Sequence, residues 1–259
     1  MKNIYLCICL LFFITSCKQN TSKKKNTIGK SETTEISFYT KDSLKIYGDL
    51  FEISKTAPTI LLFHQGGANS RGEYQNIIPI LKEEGFNVLT IDQRRGGQRF
   101  GSYNRTVAEI PKNTYDYCDA YLDLEAALEF VKTSHFTGKK IVWGSSYSAT
   151  LCIKLASKNT DAIDGVLAFS PASGEPMEGC RPEEILKTLK TPLLLLRPSI
   201  EAEIESVKTQ LALAKEYNHE TYVTKNGVHG SSMLVEDRVG SSIDENWEVV
   251  KTFLNKYKQ

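Results

Sequence analysis

The sequence predicts an α/β fold: a mainly parallel, twisted sheet with helices on both faces, preceded by an N-terminal antiparallel hairpin. Three observations carry that prediction. Short apolar runs such as Thr59-Ile60-Leu61-Leu62-Phe63, Ile141-Val142-Trp143 and Val166-Leu167-Ala168-Phe169 recur along the chain, and runs this short without polar alternation read as strands buried on both faces. Longer segments of helical pattern separate them, for example residues 121–132, and strands alternating with helices favour parallel pairing. Only at the start do two strand-like segments, residues 36–39 and 44–53, follow one another directly around Lys41-Asp42, as a hairpin requires.

The first residues carry a different signal. Met1-Lys2-Asn3 precedes an apolar run over residues 4–14 and then Thr15-Ser16-Cys17, the order of charged region, apolar region and small residues that marks an export signal. An apolar run this short falls well below the roughly 20 residues that span a bilayer. The pattern resembles a bacterial lipoprotein signal with Ile14-Thr15-Ser16-Cys17 as its lipobox. The resemblance implies a signal peptide over residues 1–16, lipidation of Cys17, and a lipid-anchored location in the cell envelope, on the periplasmic or outer-membrane face. Residues 17–35, with Lys23-Lys24-Lys25, are polar and aperiodic and read as a flexible tether, which leaves residues 36–259 as one domain of ordinary size.

A formal charge of +1 gives no reason to expect a nucleic-acid partner. Of six cysteines, Cys7 and Cys9 would leave with the signal and Cys17 would be acylated. Cys152 falls on a helix as a buried thiol, while Cys118 and Cys180 fall in loops where an oxidising compartment would let them pair; spacing alone does not fix the connectivity. Neither H-E-x-x-H nor C-x-x-C is present, so no metal site is expected.

The chemistry concentrates at Gly144-Ser145-Ser146-Tyr147-Ser148. Here an apolar strand breaks and a helical segment begins, a turn that exposes a serine Oγ and aims the next backbone N–H at a developing oxyanion. Gly-Ser-Ser is also ordinary turn and helix-cap material, so the rest of the chain must discriminate. Upstream, the strand ending at Phe63 runs into His64-Gln65-Gly66-Gly67, a glycine-rich loop suited to a second oxyanion donor. Downstream, Pro192-Leu193-Leu194-Leu195-Leu196 leads to Glu201 and Glu203, and Val228-His229-Gly230 sits between a strand over residues 220–224 and the last helix. Serine, acid and histidine thus follow in that order. His135 at a helix exit and His219 at a strand start read as surface residues, and His64 as a hydrogen-bonding support.

With these elements in this order, residues 36–257 resemble an α/β-hydrolase, nearest to the dienelactone hydrolase and esterase or peptidase-like branches. Asp92, Arg94, Gly96 and Gly97 after Gly85-Phe86-Asn87-Val88-Leu89-Thr90-Ile91 resemble that family's fourth strand and Asp-x-Arg-Gly loop. The resemblance implies Ser146 as nucleophile, His229 as general base and Glu201 as triad acid, with Glu203 the alternative. It further implies the N–H groups of Gly66 and Tyr147 as oxyanion donors. Three positions depart from the family pattern: Gln65 stands where glycine is usual, Ser148 replaces the last glycine of the turn, and the acid is glutamate. The implied activity is cleavage of a carboxylic ester or related acyl bond through an acyl-enzyme, with no cofactor and a small-molecule ester or acyl substrate. A non-catalytic binding lipoprotein, an acyl transferase and a peptidase are the alternatives. The interval between the strands at 166–170 and 192–196 is too short for a large lid domain. An irregular stretch over residues 93–113 is the expected cap, and its Arg94, Arg95, Arg99 and Arg105 either anchor the loop or meet an anionic substrate.

Overall fold

The computed structural model describes residues 33–111 and 114–258; the expected signal peptide, Cys17 and most of the expected tether lie outside the described residues. Strands β1 (Thr33–Tyr39), β2 (Lys45–Phe51), β3 (Thr59–Phe63), β4 (Asn87–Asp92), β5 (Lys140–Ser145), β6 (Gly165–Phe169), β7 (Leu193–Pro198) and β8 (Glu220–Thr224) form one sheet. Its spatial order is β1-β2-β4-β3-β5-β6-β7-β8. The first two pairings, β1 with β2 and β2 with β4, are antiparallel, and all the others are parallel. This is the α/β-hydrolase fold.

One boundary moves. Thr33, Thr34 and Glu35 pair with Phe51, Leu50 and Asp49, so the domain begins three residues before the expected start at Ile36. The strand lies at the sheet edge and is mostly exposed, so its polar residues carry no apolar alternation and resemble linker. Arg71 adds an ion pair to Glu35.

The helices are α1 (Ser70–Tyr74), α2 (Ile78–Glu83), α3 (Tyr121–Thr133), α4 (Tyr147–Lys158), α5 (Glu183–Leu186), α6 (Ser199–Ala202), α7 (Glu205–Glu216), α8 (Glu236–Val239) and α9 (Asp244–Leu254). Strand alternation divides the core between the two faces of the sheet. Leu61, Phe63, Val142 and Ala168 point to α3 and α4, meeting Leu124, Leu128, Leu151 and Leu155. Ile60, Leu62, Ile141, Trp143, Leu167 and Phe169 point the other way, to α2 and α9, meeting Leu81, Trp247, Val250 and Phe253. Each of the Val, Leu, Ile and Phe side chains among them contributes roughly 1.5–3 kcal/mol on burial. Between β6 and β7 stand only a short 3₁₀ turn and the four-residue α5, so no lid domain is inserted there. The parallel strands end at one edge, where ligands bind in open α/β sheets, and the loops after β3, β5, β7 and β8 carry Gly66, Ser146, Glu201 and His229 there.

Candidate active site

The turn after β5 holds Ser146 at φ 62°, ψ −121°, a left-handed conformation that costs a non-glycine residue on the order of 1–3 kcal/mol. The surroundings fix it there. Ser146 N–H donates to Phe169 O at 2.8 Å, and its carbonyl accepts from Ala149 N–H at 3.0 Å and Ala172 N–H at 3.2 Å. Gly144 is required beneath the turn, because a Cβ at that position would lie 2.4 Å from Ala149 N. Ser148, the departure from the usual glycine, does more than fit. Its hydroxyl donates to His64 O at 2.6 Å and accepts from Gln93 Nε2 at 2.9 Å, tying the turn to the loops after β3 and β4. Tyr147 opens α4, so its N–H belongs to the unpaired first turn at the positive end of the helix.

The loop after β3 is built on a buried histidine. Nδ1 of His64 donates to Gln65 O at 2.9 Å, and Nε2 accepts from Gln93 N–H at 2.9 Å. Both ring nitrogens are therefore committed, the ring is neutral, and burial draws its pKa down. Gln65 N–H donates to Glu73 Oε2 at 2.7 Å. Gly66 must lack a side chain, since a Cβ would stand 2.9 Å from the Tyr117 hydroxyl. Glu73, wholly buried on α1, has its carboxyl pushed up to about 7 by burial, against the lowering pull of the Ser145 hydroxyl, Gln65 N–H and the charge of Arg238.

The acid and the histidine meet across the loops after β7 and β8. His229 Nδ1 donates to Glu201 Oε1 at 2.6 Å, and Arg197 Nη1 donates to Glu201 Oε2 at 2.9 Å. Arg197, 3% exposed, also donates from Nη2 to Gln210 Oε1 at 2.6 Å and to Pro171 O. Burial opposes ionisation of Glu201, but the bonds from His229 and Arg197 prevail and hold its carboxyl below the usual range. Glu203 instead pairs with Lys208 in solvent, so of the two candidate acids Glu201 is the one that meets the histidine. Gly230 fixes the histidine loop from below: its φ is +69°, and a Cβ there would press on Ser145 Oγ at 2.2 Å.

A cavity of about 510 Å³ is lined by Ser146, Tyr147, Gly66, Gln65, Glu201 and His229. The expected nucleophile, base, acid and both oxyanion positions thus share one space, with Ser146 able to present Oγ, His229 to accept a proton and Glu201 to orient the ring. Arg94 and Arg105 anchor the loop after β4. Arg94 binds Asp123 and Asp42 at 2.8 and 2.7 Å, and Arg105 binds Asp92 and Asp49 at 2.6 and 2.9 Å. Cys118 and Cys180 form a disulfide, which links the segment bearing Tyr117 to the one bearing Pro176 and Met177, and all three of these residues line the cavity. Cys152 is a buried free thiol whose pKa burial raises. Among the described residues no group of three or more His, Cys, Asp or Glu could hold a metal ion.

Sequence reasoning missed Arg197, Gln210 and Glu73. Arg197 had a signal: an arginine closing an apolar strand must find partners. Gln210 and Glu73 had none, because each sits on a helix as an ordinary polar residue and only the packing of that helix turns its side chain onto Arg197 or the Gln65 N–H.

The family model Hydrolase_4, described as serine aminopeptidase, S33, matches residues 54–237. Among solved structures, an esterase of Pyrococcus furiosus is 20% identical, with a TM-score of 0.68 over 89% of this chain and 92% of that one. A Klebsiella pneumoniae protein assigned as a dienelactone hydrolase is 14% identical, with a TM-score of 0.65 over 87% and 99%. The acylaminoacyl peptidase of Pyrococcus horikoshii is 17% identical, with a TM-score of 0.65 over 88% of this chain and 42% of that longer one. No curated protein matches the chain.

Proposed function

The chain belongs to the serine aminopeptidase S33 family and is a serine hydrolase, and from that premise we propose that it cleaves a carboxylic ester or related acyl bond through Ser146, His229 and Glu201. The observation that carries this reading is the hydrogen-bonded run Arg197–Glu201–His229 on the wall of the cavity that holds Ser146. His229 takes the proton of Ser146 Oγ as it attacks the acyl carbon, and ionised Glu201 stabilises the imidazolium that forms. The N–H groups of Gly66 and Tyr147 receive the oxyanion. The leaving group departs with the proton from His229, and water activated by the same ring releases the acyl group.

The lipoprotein reading of residues 1–16, with Cys17 acylated and residues up to 32 as tether, belongs to this proposal, as does a lipid-anchored place in the cell envelope. The Cys118–Cys180 disulfide supports it, because such bonds persist in compartments outside the reducing cytosol.

Labelling with a fluorophosphonate probe tests the chemistry. The expected result is one adduct on Ser146, lost in Ser146→Ala and His229→Ala; a folded wild-type protein that takes no label overturns it. Comparing 4-nitrophenyl butyrate with an amino-acyl anilide then decides between ester and aminopeptide cleavage.

A further inference from the structure

The four arginines of the loop after β4 divide into two kinds. Arg94 and Arg105 are fully engaged by carboxylates. Among the described residues neither Arg95 nor Arg99 forms an ion pair; Arg99 lines the catalytic cavity and Arg95 the cavity beside it. Resting on the hydrolase reading above, we propose that the acyl substrate carries a carboxylate, bound by Arg99 on the rim of the catalytic cavity and drawn in by Arg95 behind it.

Arg99 lines the same cavity as Ser146 and His229. Its backbone is held on both sides: its N–H donates to Gly67 O at 3.0 Å, and its carbonyl accepts from Asn69 Nδ2 at 3.1 Å. Gly97 packs so closely on Gly67 that a Cβ would fall 2.8 Å from its carbonyl oxygen. The next residue, Phe100, lies beneath the Arg238 guanidinium at 3.7 Å. The loop is thus docked to the core while the Arg99 side chain stays uncommitted, an arrangement that spares a ligand the cost of ordering it.

Arg95 lies behind this rim. Its guanidinium covers the Tyr117 ring at 4.4 Å, and that ring packs on Tyr147 at 4.9 Å and against Gly66, the two oxyanion positions. Nε of Arg95 is buried and has no hydrogen-bond partner, a state that costs free energy until an acceptor arrives. Tyr117 is a wall common to the catalytic cavity and to an adjoining one lined by Arg95, Tyr103 and Tyr115. The carboxylate of the catalytic cavity, Glu201, is already spent on His229 and Arg197. Unopposed cations on low-dielectric walls focus a positive field into such a space, and the aromatic lining offers room for a flat or aliphatic body beside the charge.

The test uses pairs of substrates that differ only in charge. For a carboxylate on the acyl side, mono-4-nitrophenyl glutarate is compared with its terminal carboxamide. For one on the alcohol side, the acetate ester of 4-hydroxybenzoate is compared with that of 4-hydroxybenzamide. In one of the two arms the wild-type kcat/KM ratio of charged to neutral substrate is expected to exceed roughly 10, to fall as salt rises, and to invert in Arg99→Glu. Arg95→Gln reduces the ratio by a smaller factor. Ratios at or below one in both arms, or a ratio unmoved by Arg99→Glu in a protein whose melting curve is intact, overturn the proposal. Calorimetry of the same ligands on Ser146→Ala separates it from the hydrolase reading. Charge-selective binding that depends on Arg99, without turnover of any ester by the wild type, sinks hydrolysis and keeps the anion site; equal binding of acid and amide sinks the anion site whatever the turnover.

Discussion

The two halves of the proposed catalytic apparatus are held by different means. The turn around Ser146 is fixed by backbone: carbonyl-to-amide bonds to β6 and the segment after it, and a glycine at 144 packed against α4. The Glu201–His229 half hangs on side chains. Glu201 sits on the four-residue α6, beside Ile200 with 79% of its surface exposed, and its position depends on one buried arginine. A strained backbone needs neighbours that leave it no alternative, whereas an acid that only orients a ring can be placed by a hydrogen-bond chain. Damage to the first half is therefore expected to appear as lost stability and damage to the second as lost rate.

The largest effect tests the second half. Glu201→Gln is expected to lower kcat by roughly 10³- to 10⁴-fold and to cost less in stability, since the amide oxygen still accepts from Arg197 without neutralising it; a loss of stability as large as the loss of rate would erase the contrast. Reduction of Cys118–Cys180, which closes a sequence separation of 62, removes about 4 kcal/mol in the chain-entropy treatment and loosens both lining segments, so denaturation with and without reductant should show KM rising before the protein unfolds. Arg197→Met leaves Glu201, Gln210 Oε1 and Pro171 O without their donor and costs about 3 kcal/mol, so both midpoint and kcat should fall. Gly144→Ala drives a methyl into Ala149 and is expected to cost about 3 kcal/mol, read as a lower Tm, while the protein still folded retains its label at Ser146.

The smallest effect concerns Glu73, which supports the oxyanion loop from behind. With its folded carboxyl pushed up to about 7 from 4.5, the native state keeps a proton that the unfolded chain has released. The stability this supplies is complete below 4.5 and drains away as pH rises through 7. Glu73→Gln mimics the protonated form. Urea midpoints should coincide at pH 5 and separate by about 2 kcal/mol at pH 8 in favour of the variant; parallel curves would show that Glu73 is ionised throughout.

The sequence displayed the first half more openly than the second. Gly144, Ser146 and the apolar run before them are local, and a strand-to-helix turn leaves its mark within five residues. Glu201 could be counted from the end of a strand, but the choice against Glu203 rests on which carboxylate faces His229, a contact between loops 28 positions apart. The arginines were legible as a group and not as individuals, because Arg94 and Arg105 find their partners on β1–β2, β4 and α3. Thr33, Thr34 and Glu35 resembled linker since an exposed edge strand needs no apolar face.

The geometry of that edge strand sets an orientation. Thr33 stands level with Phe51 and, through it, with Val88 near the beginning of β4, so the polypeptide joins the domain at the end of the sheet where the parallel strands start. The cavity opens at the end where they finish, roughly 20 Å away for strands of this length. The point where the chain enters the domain at Thr33 and the mouth of the cavity therefore lie at opposite ends of the sheet.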